Sequence, residues 1–378
     1  MSGQNIKYLI KRGKTIEKQS EKEIVHTAVS DIIKLDMKGF DKMTYEGIDR
    51  DAQHLADLMY APAYTKICIA ALELDVFSNL TDPKTAEELA KTLGWHVKNT
   101  EFLLDTLTGM GFLHKNENIY QNADCSRKYL VRGTERFMGD FMQMYVGLSG
   151  YEQTDLAALV REGPQAAPEE NVSNISFADQ FAAMRRAQSG ARSYETVRIL
   201  NSIPEYASAK KLLDLGCGSG MLGIAAAKDN PHLDVVVYDT PAMEPGIRES
   251  IELSGLQKRV TAIGGDYLSG DIGSEYDIII AFATLNFAKH AMEDVMRKLR
   301  AVLNPNGVLI TFGDSIHSSN TLPADMLAGW LPYTLKGMDF RMPGGLVSES
   351  ALAAGFRNVC TTTVPAYSGS TEINIIRK

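Results

Sequence analysis

The most constraining stretch of this chain is Asp214-Leu-Gly216-Cys-Gly218-Ser-Gly220, set between an apolar run at 211–215 and a helix predicted to begin near Met221. Glycines at alternate positions let the chain turn sharply and let its backbone approach a ligand closely, where a strand passes into a helix. Such a turn belongs at the carboxyl edge of a parallel α/β sheet. The text downstream agrees. Strands are predicted over 235–239, 260–263, 277–282 and 308–312, with amphipathic helices such as 288–303 between them and a closing hairpin from 359–364 and 373–376.

A glycine-rich turn alone does not name its ligand. Asp214, two residues ahead of the first glycine, would repel a pyrophosphate but attract an ammonium. Asp239 closes the next strand, about 20 residues past the glycines, where an acid accepts both ribose hydroxyls. Gly264-Gly-Asp266-Tyr267 follows the third strand and sets a side-chain acceptor and an aromatic ring beside an adenine. Singly, Asp214 could cap a helix, Asp239 could be an ordinary turn residue and Tyr267 could be core. Together they describe a pocket for adenosine joined to an amino acid without phosphates. That ligand is S-adenosylmethionine.

Upstream, residues 51–77 read as helix that is apolar on more than one face, so several sides need cover. Thr85 and Glu88 form a capping box that opens a short helix, and Gly94 stops it. A second helix is predicted over 97–108 and a two-stranded hairpin over 111–120, which is the layout of a winged helix. Residues 81–136 carry eight basic and eight acidic side chains, and no basic stripe is there to meet phosphates. Nucleic acid is excluded as a partner. Residues 137–200 read as helical, broken at Gly163-Pro164 and over 168–176, while 1–45 read as a charged extension with an amphipathic helix at 17–36. Three regions are therefore expected: the 1–45 extension, a helical domain at 46–200 and the α/β domain at 201–378.

With 44% hydrophobic residues and a net charge of −8, the chain is expected to be soluble and indifferent to anionic lipid. Cys68, Cys125, Cys217 and Cys360 lie far apart, which suggests neither a disulfide framework nor a metal site. No signal peptide or membrane-length apolar run is legible, so a cytoplasmic location is expected.

The texts Leu74-Asp-Val-Phe77, Thr85-Ala-Glu-Glu-Leu-Ala90, Phe181-Ala-Ala-Met184, Asp214–Gly220, Tyr238-Asp-Thr-Pro241, Gly265-Asp-Tyr267 and Ala354-Gly-Phe356 carry a specific likeness. Over about residues 50–378 the chain resembles the class I small-molecule O-methyltransferases with an N-terminal winged-helix dimerisation domain, the group of plant phenolic, acetylserotonin and bacterial polyketide or carotenoid enzymes. The resemblance implies a Rossmann-like, mostly parallel seven-stranded sheet, a homodimer interlocked through the helices before residue 200, and a small-molecule methyl acceptor. It places Gly216, Gly218, Gly220, Asp239, Thr240, Asp266, Tyr267 and Phe282 around S-adenosylmethionine, with Asp239, Asp266 and Tyr267 on the ribose and adenine. Phe181 and Met184 are implied to wall the acceptor cavity, and Tyr145, Asn286, Met326, Trp330 and Phe340 are the further candidates for its lining.

One departure matters. In that family a Leu-His-x-Trp motif supplies the histidine that deprotonates the acceptor hydroxyl. Here Asn286 stands at the His position and Ala288 at the Trp position, and Phe282 replaces the Lys, Arg or Ser that often precedes them. A carboxamide accepts no proton at neutral pH. Replacement bases are His290, which begins the next helix, and Asp314 or His317, which follow the fifth strand. The expectation is a methyltransferase acting on a small, partly apolar or aromatic molecule. The alternative is a protein of the same fold that binds the cofactor but transfers no methyl.

Overall fold

A computed structural model describes residues 50–148, 151, 154–164, 177–366 and 369–378. The charged extension, the helix expected at 17–36 and the loop at 168–176 lie outside these residues. Residues 64–378 make one compact unit. Of the other unit, 1–63, the described part is helical and belongs to α1 (Arg50–Glu73). No described helix is long and apolar enough to cross a membrane.

Helix α1 stops at Glu73, four residues short of the predicted end at 77. Asp75 takes left-handed backbone (φ 52°) and accepts the Ser78 hydroxyl at 2.6 Å, and a single turn restarts at Val76–Asn79. A short polar side chain that bonds locally makes that conformation tolerable. The capping box at Thr85 forms: Glu88 N–H donates to Thr85 Oγ1 (3.2 Å) and Thr85 N–H to Glu88 Oε2 (2.8 Å). A cap of this kind contributes ~1 kcal/mol. It opens α2 (Ala86–Leu93), which Gly94 ends in left-handed backbone (φ 71°), and α3 (Val97–Gly109) follows. The hairpin of β2 (Leu113–Asn116) and β3 (Ile119–Asn122) pairs with the short β1 (Lys84–Thr85) in the order β1-β3-β2. Phe77, Leu89, Leu104, Leu107 and Tyr120 are buried together beneath it. Further along the chain come α4 (Gly139–Leu148) and α5 (Phe177–Ala187).

The large sheet runs β4 (Lys211–Leu215), α6 (Met221–Asp229), β5 (Asp234–Asp239), α7 (Glu244–Ser254), β6 (Val260–Gly264), β7 (Tyr276–Phe282), α8 (Met292–Val302), β8 (Leu303–Gly313), α9 (Ala324–Leu335), β9 (Asn358–Ala366) and β10 (Gly369–Arg377). Its strand order is β6-β5-β4-β7-β8-β10-β9, parallel from β6 to β8 and antiparallel across β10 and β9. Strand order reverses between β4 and β7, and that switch point is where a crevice opens at the carboxyl ends. Alternate side chains serve the two faces. Leu212, Val237, Ile280 and Ile310 enter one core, while Leu213, Ile279 and Leu309 enter the other. Both faces are covered, which accounts for nearly continuous apolar strands. The helix predicted at 288–303 is shorter than expected: Leu285–Ala291 is a 3₁₀ segment, tightened by Phe287 N–H on Thr284 O (3.2 Å), and α8 begins only at Met292.

Candidate functional site

A cavity of about 840 Å³ opens along the carboxyl edge of the sheet, lined from Asp239 and Tyr267 on one side to Asp314 and Glu372 on the other. Gly216, Gly218 and Gly220 all have positive φ (66°, 60° and 79°). Gly216 and Gly218 face the cavity: a Cβ at Gly216 would lie 2.0 Å from Thr284 Oγ1, which leaves no room for a side chain, and one at Gly218 would press on Met184 Sδ at 3.0 Å in left-handed backbone. Gly220 lies outside the lining and is the N-cap of α6.

Asp239, at the end of β5, is tied into the turn. Gly218 N–H donates to its Oδ2 and Thr240 N–H to its Oδ1, both at 2.7 Å. A carboxylate offers about four acceptor positions, so capacity remains for a ligand's hydroxyls. Burial raises its pKa and those two N–H groups oppose the rise. Asp266 lines the same side, held by Leu268 N–H (2.9 Å) and the Ser269 hydroxyl (2.7 Å), which lower its pKa. Tyr267 presents its ring beside it, its hydroxyl donating to Thr284 O at 2.8 Å. Thr240 and Phe282 also line this cavity.

Asp214 does not reach it. Its parity along β4 turns the side chain to the face that α6 covers, where it is 1% exposed and accepts Gly223 N–H at 2.8 Å. Burial pushes its pKa up to about 7. The expected role as a direct anchor for an ammonium is corrected to support of the turn from beneath.

The rest of the lining includes Tyr145 from α4, Met184 from α5, whose Sδ lies by Gly218, and Met326 and Trp330 from α9, with Asn286 after β7. Two expected wall residues stand back from it. Phe181 is buried in the core against Gly246 of α7, and Phe340 packs on Trp330 (ring centroids 5.7 Å) and on Phe287 (5.2 Å). Asp314 lines the cavity and accepts the Trp330 indole N–H; burial raises its pKa, and the Trp330 bond and Arg192 oppose the rise. His290 and His317 are exposed and line no part of the cavity, and His317 is engaged with Ser319 instead.

Several lining residues were not anticipated. Gln188 opens a π-helical turn (Gln188–Arg192) and accepts Ser219 N–H (3.3 Å) and the Ser219 hydroxyl, bracing the glycine turn. Arg192 lies over the rings of Phe312 (5.1 Å) and Phe141 (5.7 Å). A π-turn has no periodic signature in sequence. Glu372, Asn374 and Thr311 form a buried polar row: Asn374 Nδ2 donates to Thr311 Oγ1 (3.1 Å) and to Glu372 Oε1 (2.9 Å). Their signal was legible, since Glu372 and Asn374, at spacing two, precede and interrupt the apolar run 373–376 and share one face of β10.

Comparison with known proteins places this geometry. Residues 56–132 match the O-methyltransferase dimerisation domain, and residues 213–309 match a methyltransferase domain family. The chain is 26% identical over 275 residues to acetylserotonin O-methyltransferase of Rattus norvegicus, covering 70% of this chain but 63%, under two thirds, of the rat protein. It is 24% identical over 283 residues to the N,N-dimethyltransferase OxyT of Streptomyces rimosus, covering 73% of this chain and 82% of that one. The crystal structure of human N-acetylserotonin methyltransferase in complex with SAM shares the fold, with a TM-score of 0.68 at 19% identity over 89% of this chain and 99% of that one.

Proposed function

We propose that this chain, which belongs to the O-methyltransferases that join a dimerisation domain to a methyltransferase domain, transfers a methyl group from S-adenosylmethionine to a small, partly apolar or aromatic molecule without a histidine base. The single observation that carries this reading is one cavity with two unlike kinds of lining. Its lining joins glycine backbone, Asp239 and Tyr267 to the apolar surfaces of Met184, Met326, Trp330 and Tyr145.

The residues present fit the cofactor. The glycine turn admits no side chain at Gly216 and holds Gly218 in left-handed backbone, and the Asp239 carboxylate keeps free acceptor positions for ribose hydroxyls. Asp266 and Tyr267 would flank the adenine. Bound there, S-adenosylmethionine supplies an electrophilic methyl on a sulfonium. The chain's own contribution is to hold an acceptor atom in line with that methyl and to exclude water. Proximity of this kind is worth ~7–11 kcal/mol, against the factor of ~10²–10⁴ that a general base supplies. Asn286, at the position of the family histidine, cannot take a proton. The acceptor atom is therefore one that is nucleophilic at neutral pH, such as an amine, a thiolate or a stabilised carbanion, rather than a simple phenol of pKa ~10.

Two chains pair through the N-terminal domain in this reading. It is supported by the dimerisation-domain match and by Leu55, Leu58 and Met59 of α1, which are 63%, 56% and 77% exposed. The test is methyl transfer to a panel of aromatic amines, thiols and phenols, followed as S-adenosylhomocysteine release. Turnover of an amine or thiol above the phenol of the same shape supports the proposal. Tight cofactor binding with no acceptor turned over favours the same-fold binding protein.

A further inference from the structure

Resting on the methyltransferase reading, we propose that Glu372 is a specificity-determining residue, and that the methyl acceptor is an apolar or aromatic molecule carrying an N–H nitrogen group that this carboxylate binds. Glu372 lies near the start of β10, in register with Gly313 at the end of β8, and lines the cavity while only 8% exposed. Its oxygens accept from the Ser315 hydroxyl (2.7 Å) and the Asn374 amide (2.9 Å), and both donors are neutral. Among the described residues no lysine, arginine or histidine forms an ion pair with it. A carboxylate removed from water is costly unless a cation or a full set of donors meets it. Two of its roughly four acceptor positions are filled.

Asp314, on the same stretch of wall, is served differently, by the Trp330 N–H and the positive charge of Arg192. The wall therefore holds two carboxylates and one cation. The vacant acceptor positions of Glu372 ask for N–H or O–H groups. The charge imbalance selects nitrogen, because a basic nitrogen brings the missing positive charge and a hydroxyl does not. A carboxylate or phosphate on the acceptor would meet like charge here. The apolar body of such a molecule fits the surfaces of Met184, Met326 and Trp330.

The experiment is calorimetric titration of the S-adenosylhomocysteine-loaded full chain with naphthylethylamine and with naphthylethanol, which share one apolar body. The amine is expected to bind about tenfold tighter or more, as a charge-assisted bond to a buried carboxylate allows. In Glu372→Gln that preference is expected to vanish while affinity for S-adenosylhomocysteine holds. Equal affinities, binding of neither probe, or a preference retained in the variant overturns the assignment. The wild-type comparison decides even where the variant does not fold. Failure of the wild type to bind S-adenosylhomocysteine is a separate result, and it breaks the methyltransferase reading itself.

Discussion

Asp214 accepts the backbone N–H of Gly223 at 2.8 Å and sits sealed beneath the glycine turn. A carboxylate in that position holds the start of α6 against the end of β4, so the turn is shaped from below by a group that no ligand touches. Burial outweighs the one N–H that Gly223 donates, and its pKa rises to about 7.

The first prediction follows from that shift. The folded carboxyl holds its proton more tightly than the unfolded one, whose pKa is ~4. This group's contribution to stability is therefore full below pH ~4 and declines as pH rises toward 7. Asp214→Asn removes the titration while keeping an acceptor for Gly223. Chemical denaturation should show the variant gaining ~1–3 kcal/mol on the wild type between pH ~5 and ~8. A gain in the opposite direction would show that the carboxylate is stabilised as an anion.

What could be read in the sequence follows from what repeats. The strands from β4 to β8, the capping box at Thr85 and the stop at Gly94 were legible, because apolar runs and caps are local signals. The break of α1 at Asp75 was not, since it turns on one residue adopting positive φ. Along the cavity, Gly216, Gly218, Asp239, Thr240, Asp266 and Tyr267 were found from their order along the sheet edge. Asp214 and Phe181 were placed too near the ligand, because spacing does not reveal which face a side chain takes. Gln188 and Arg192 were missed because a π-turn displaces them from helical periodicity.

The bases suspected from sequence can be separated by mutation. His290 is exposed and outside the lining, so His290→Ala should change turnover by less than about twofold, where loss of a general base costs ~10²–10⁴. Asn286→Ala, which removes a lining group that cannot take up a proton, should cost less than about tenfold. Steady-state rates with one accepted acceptor check both. A hundredfold loss in His290→Ala would return that histidine to the mechanism.

The apolar, exposed residues of α1 supply an assembly test. Sedimentation of the full chain at micromolar concentration should give a dimer, and Met59→Glu should shift it toward monomer, because a charge buried in an apolar interface is unfavourable. A wild-type monomer contradicts the proposed pairing.

Asp239 has its two oxygens each fixed by one backbone N–H, and it lines the cavity. Calorimetric titration of S-adenosylhomocysteine into folded wild type and Asp239→Ala is the decisive measurement. Hydrogen bonds to a charged acceptor are worth ~1.5–3 kcal/mol each, so the variant should bind at least tenfold more weakly, with its thermal unfolding still cooperative. Equal affinity in the two proteins, or no binding by the wild type, would contradict the assignment of this cavity to the methyl donor.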